Sequence, residues 1–230
     1  MTLELLGRSL SDLASEIPGA TRVFHQHRLD FCCGGHVSLR EAAERRSVDT
    51  AGLVQALKQL QEQAREDGED WRQVPVPQLI AHLVQRYHEV HREQLPELIR
   101  LARRVEVRHQ DHPHCPAGLA DVLESLQQEL ESHMHKEERV LFPMLTHGSD
   151  SMAQSPIAVM RLEHEQHGES LEDVLELTQD LRLPQDACTT WRALYGGLEQ
   201  FRQDLMEHIH LENNILFKNS TERVHGGGHA

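Results

Sequence analysis

HMHKEERVLF (133–142) and HIHLENNILF (208–217) are one segment written twice, 75 residues apart. The copies agree at His133/His208, His135/His210, Glu137/Glu212, Leu141/Leu216 and Phe142/Phe217. On a helix, residues four apart share a face. His133 with Glu137, and His208 with Glu212, therefore project together. A single His-x-x-x-Glu on a helix is ordinarily a surface ion pair. Two copies in register call for another explanation.

A second repeat supplies it. HEVHREQL (88–95) matches HEQHGESL (164–171) at His88/His164, Glu89/Glu165, His91/His167, Glu93/Glu169 and Leu95/Leu171. Four helical segments are predicted around these motifs, from about Gln78 to Arg108, Ala117 to Thr146, Pro156 to Leu181 and Ala187 to Ser220. Pro156 is placed in a first turn, where proline fits best. Pro96 is expected to bend the first segment, and Gly196 and Gly197 are weak points in the fourth. Short links between the segments suggest an up-down-up-down bundle. The first two helices correspond to the last two, so a pseudo-twofold axis would bring the repeated motifs to the bundle centre.

Four imidazoles and two carboxylates would then converge. Terminal imidazoles and bridging carboxylates suit a pair of neighbouring iron ions. His88 and His164, or His91 and His167 three residues on, can supply the first and third helices' histidines. Two residues off the ligand face, His135 and His210 read as solvated or as outer groups. Glu129, Asp204 and Glu163 are candidate outer carboxylates, although solvated helix edges account for Glu129 and Asp204 first. His82, His109, His112, His114 and His147 read as surface residues.

Composition bounds the rest. The chain has 230 residues, 38% hydrophobic and only 4% aromatic, so Leu, Val and Ala must build the core. A formal net charge of −14 disfavours electrostatic binding to nucleic acid or anionic membrane. No apolar run approaches the roughly 20 residues of a membrane span, and no signal peptide is read at the N-terminus. Fifteen of the 18 histidines lie after residue 70, so the first part of the chain is a different kind of domain. Ser9/Asp12 and Ser38/Glu41 resemble capping boxes there, and Leu53, Leu57 and Leu60 mark a further helix. The domains are drawn as 1–66, a linker at 67–78 with Pro75 and Pro77, the bundle at 79–220, and a disordered tail at 221–230. No two-residue alternation signals a sheet.

Four cysteines are too few and scattered for a disulfide scaffold. Cys32 and Cys33 are adjacent in LDFCCGGHVSL (29–39). Their Cα atoms would stand ~3.8 Å apart, below the usual disulfide range. The pair is either a redox or iron-handling site or two small residues in a turn opened by Gly34 and Gly35. Cys115 and Cys188 read as lone and inert.

DFCCGG, HREQLPEL, HMHKEERVLFP and LMEHIHLENNILF together resemble the repair-of-iron-centres family of YtfE, ScdA and DnrN type, over nearly the whole chain. The resemblance implies an all-α protein: a small N-terminal helical domain, then a hemerythrin-like four-helix bundle with two non-haem irons and an oxo or hydroxo bridge. It implies ligands His88, His133, Glu137, His164, His208 and Glu212, with both glutamates bridging, and so favours His88 and His164 over His91 and His167. Cys32 and Cys33 fall on the family's thiol pair, while no catalytic residue is assigned. The implied role is repair of iron–sulfur clusters damaged by nitrosative or oxidative stress in the cytoplasm, by iron supply. Damaged iron–sulfur proteins are the transient partners, and a homodimer is left open. Nitric oxide reduction to nitrous oxide and hemerythrin-like binding of oxygen or nitric oxide are the alternatives. Manganese or zinc in place of iron stays open.

Overall fold

The computed structural model describes residues 2–17, 19–32, 34–67 and 71–226. Among them there is no strand, only an isolated antiparallel bridge between Ser9 and Ser38. None of their helices is long and apolar enough to cross a membrane. The chain clusters into two compact units, residues 1–79 with 206–230 and residues 80–205.

In the first unit, α1 (Thr2–Leu6), α2 (Leu10–Glu16), α3 (Ala20–Gln26), α4 (Leu39–Arg45) and α5 (Thr50–Asp67) follow in order. Most of these helices are too short to be stable alone, and side-chain caps secure the starts of α2, α4 and α5. Ser38 and Glu41 form a full capping box, each side chain taking the other's backbone N–H at 3.2 and 3.0 Å. Ser9 accepts from the backbone of Asp12. Asp49 accepts from Ala51 and Gly52 to start α5. Leu10, Leu13, Phe24, Phe31, Leu39, Leu53 and Leu57 are fully buried. The predicted linker is shorter than drawn: α5 reaches Asp67 and α6 (Val76–Leu83) starts before Gln78, while 68–70 lie outside the described residues.

The second unit carries most of the bundle, while the end of the fourth helix, within residues 206–230, clusters with the first unit. After α6 comes a π-helical turn, Val84–His88, and then α7 (Glu89–Arg108). The second helix is α8 (Leu119–Lys136), a π turn Glu137–Leu141 and α9 (Phe142–Thr146). The third, α10 (Asp150–Leu177), is unbroken. The fourth is α11 (Thr189–Leu211), a π turn Glu212–Leu216 and α12 (Phe217–Gly226). The boundary between the units at residue 205 falls inside α11. Helix α7 packs along α8, and α8 and α9 along α10.

Two boundaries and one helix interior differ from expectation. α10 begins at Asp150, and Pro156 lies inside it. Gly148, at φ 71°, ends the previous helix, and the acidic Asp150 suits the positive end of the new one. α7 runs through Pro96 to Arg108, and the departure from α geometry comes earlier, in the π turn. The tail expected to lack structure is helical to Gly226, and 227–230 lie outside the described residues. Gly197 does not weaken α11. A Cβ there would stand 2.8 Å from Leu98 Cδ2, so glycine lets α11 and α7 approach closely.

Candidate metal centre

Each π turn carries a predicted ligand at one end: His88 closes the first, and Glu137 and Glu212 open the second and third. A π turn winds one extra residue into a helix and is concentrated at functional sites. His164 sits on the unbroken α10. His88, Glu137, His164, His208 and Glu212 are wholly buried, and His133 is 1% exposed.

The polar atoms converge. His88 Nε2 and His133 Nε2 stand 3.5 and 3.4 Å from Glu137 Oε2. His133 Nε2 and His164 Nε2 are 3.0 Å apart. His208 Nε2 is 3.1 Å from Glu212 Oε1. Ligand atoms of His88, Glu137, His208 and Glu212 all lie within 4.8 Å of one another, as do those of His133, Glu137, His164 and Glu212. The two groups share both glutamates.

Outer carboxylates fix the rings. His88 Nδ1–H donates to Glu138 Oε1 at 2.8 Å, and His133 Nδ1–H to Glu163 Oε2 at 2.9 Å. With those protons on Nδ1, each Nε2 turns a lone pair toward the cluster. The hydrogen bond from His88, and then that from Arg92, holds the Glu138 carboxyl down at about 2. Arg92 ties Glu138 to Glu131, and Lys136 pairs with Glu163. Glu138 was not among the predicted outer groups. It follows a ligand directly in sequence, and spacing along one helix gives no hint that it faces a different one.

Two buried carboxylates beside facing imidazole lone pairs are costly unless a cation compensates them. The donor set therefore fits metal: nitrogen and oxygen ligands in a buried cluster. His91 and His167 are buried too, yet fall outside both groups. His91 meets the Phe201 ring edge-on at 5.4 Å, and His167 meets His133 at 4.9 Å. Glu129 is exposed. Asp204, expected first as a solvated edge, is buried and receives Arg86 Nη2 at 2.6 Å.

His210 also departs from expectation, because it is not solvated. It is 1% exposed, packs edge-on against Phe31 at 5.5 Å and bonds Asn214 Nδ2 at 3.0 Å. Burial pushes its imidazole down to about 4, against a hydrogen bond with the Phe31 backbone. Packing against Phe31 and Ser15, with the bond from Asn214, separates it from the exposed His135.

In the cysteine loop, Asp30 accepts from the Cys32 amide at 3.1 Å, from the Cys32 thiol at 3.3 Å and from the Gly34 amide at 2.8 Å. A Cβ on Gly35 would come 2.2 Å from the Phe31 carbonyl oxygen, so the turn requires glycine there. Cys32 is 8% exposed. Cys33 lies outside the described residues.

Comparison with known proteins finds two family models in the chain. Residues 79–219 match the hemerythrin HHE cation binding domain, and residues 6–61 match a domain of unknown function, DUF542. The chain is 49% identical over 215 residues to an iron–sulfur cluster repair protein YtfE of Yersinia pseudotuberculosis (strain IP 31758), covering 94% of this chain and 97% of that one. It is equally similar, over the same shares, to the protein of that name from Yersinia pestis (strain Pestoides F).

Proposed function

We infer the function of this chain from the family it belongs to, the YtfE-type iron–sulfur cluster repair proteins with a hemerythrin HHE domain. It takes part in repairing iron–sulfur clusters, and damaged iron–sulfur proteins are its targets. The centre holds two iron ions. His88 and His208 would hold one, His133 and His164 would hold the other, and Glu137 and Glu212 would be shared by both. The observation that carries this reading is that both four-residue groups contain the same two glutamates.

Bound there, the irons supply redox-active metal that can be released to a damaged cluster. The protein's part is to bind and release. Glu138 and Glu163 keep the protons of His88 and His133 on Nδ1, so the Nε2 atoms stay ready as donors. The buried carboxylates favour cations and leave a charged void when one departs, which keeps exchange slow until a partner accepts it. Two histidines per metal leave positions for small ligands. Oxygen carriage is the weaker reading, because His91 and His167, which could supply an extra histidine, stand outside both groups. The function unfolds in the cytoplasm, where reduced thiols such as Cys32 and Cys33 persist and can accept iron or reduce the centre.

Replacing both bridges, Glu137→Leu with Glu212→Leu, should abolish iron retention in anaerobically purified protein and cluster restoration with it. Helical content serves as the folding control. An iron-free double variant that still restores a damaged cluster at the wild-type rate overturns the reading. Nitrous oxide formed from nitric oxide by the diferrous protein, with no iron transferred, would assign the centre to reduction instead.

A further inference from the structure

Far along the sequence from any predicted ligand of the centre, Cys188 meets His109. Cys188 Sγ lies 3.2 Å from His109 Nε2. Both residues line a cleft of about 580 Å³ together with Arg104, Val105, Arg108, Thr189 and Thr190. Arg104 and Arg108 are exposed, and Cys188 and His109 are half-buried. Cys188 caps α11, its carbonyl accepting from the Arg192 amide at 3.0 Å. The nearby carboxylate, Asp186, is turned to His112 Nε2 at 3.3 Å. Trp191 packs against His109 at 5.0 Å and holds the ring in place.

We propose that Cys188 is a modification site that forms a mixed disulfide with an anionic low-molecular-weight disulfide, His109 acting as base and Arg104 with Arg108 receiving the incoming carboxylates. Sequence alone presents Cys188 as an inert lone thiol. The fold instead gives it a base, an open cleft and two cations, the surroundings in which thiols react. The Cys188 sulfur attacks one sulfur of the disulfide while its proton passes to His109 Nε2. The incoming S–S bond breaks and a new one forms to Cys188. The other half leaves as a thiolate and takes the proton from His109. Cys188 is oxidised, the released half is reduced, and no further oxidant enters.

The other described thiols lack this arrangement. Cys32 faces the Asp30 carboxylate, which repels an anion. Burial pushes the Cys115 thiol up, and its sulfur lies 4.0 Å from the Glu106 carbonyl.

The test treats the full chain with oxidised glutathione and locates adducts by intact mass and peptide mapping. Cys188 should be modified ahead of Cys32 and Cys115. His109→Gln should slow the reaction at Cys188 roughly tenfold or more. Arg104→Glu with Arg108→Glu should slow it roughly tenfold with oxidised glutathione, yet leave the rate with neutral hydroxyethyl disulfide unchanged. An unmodified Cys188, or one no faster than Cys115, overturns the proposal in the wild-type protein, whatever the variants do. So does a wild-type rate in His109→Gln, or equal slowing with both disulfides in the arginine variant.

Discussion

Segments 133–142 and 208–217 share their predicted ligand positions, yet their surroundings differ. In the first, His135 is exposed, Lys136 pairs with Glu163 and Glu138 braces His88. In the second, His210 is buried against Phe31, and Leu211 and Asn213 stand where Lys136 and Glu138 do. The other pair of helices differs likewise: Glu163, which braces His133, corresponds to Tyr87. What repeats is the set of predicted ligands in each hairpin. What does not repeat is what each hairpin happens to touch. The braces do not follow the sequence repeat, but each four-residue group still receives one: Glu138 through His88, Glu163 through His133.

The contrast between His135 and His210 is the largest to test. His210→Ala should destabilise the fold by about 2 to 4 kcal/mol, because it empties a packed site beside Phe31. His135→Ala should stay within about 0.5 kcal/mol of wild type. Denaturant melts of both variants measure this, and equal losses would erase the distinction between the copies. Next come the braces. Glu138→Gln and Glu163→Gln should each weaken metal retention against a chelator by roughly 10- to 100-fold, whereas Asn213→Ala should change it little. A strong effect of Asn213→Ala would give the second segment a brace of its own. The smallest effect lies farther along the same helices. Gly197 stands where the first half has Val122. Gly197→Ala should cost about 1 to 3 kcal/mol through the clash with Leu98. Gly196→Ala, with nothing within 4 Å, should gain about 0.5 to 1 kcal/mol. Thermal melts separate the two neighbours.

Much of the molecule is legible in sequence because it rests on spacing. The repeated His-x-x-x-Glu places two ligand pairs on helix faces, and Ser38 with Glu41 announces the start of α4. The rest depends on contacts that spacing does not encode. The π turns carry no side-chain signature, since any residues can be wound that way. Glu138 braces a histidine 50 residues away. The burial of His210 and the basic cleft around Cys188 arise from partners remote in the chain. Pro156 misleads for a different reason: proline favours a first turn, but Gly148 and Asp150 already set the start of α10, and the helix absorbs it.

The π turns have a consequence in angle. An α-helix advances about 100° per residue, so one additional residue rotates everything beyond it by about that amount. In the second and fourth helices the rotation separates the half that carries the histidine from the half that follows the glutamate. The aim of these side chains is thus written into the length of the chain, where insertions and deletions act. Excising a single residue such as Arg139 would leave every donor in the sequence and remove the extra residue, so that the turn at Glu137 would close as ordinary α-helix.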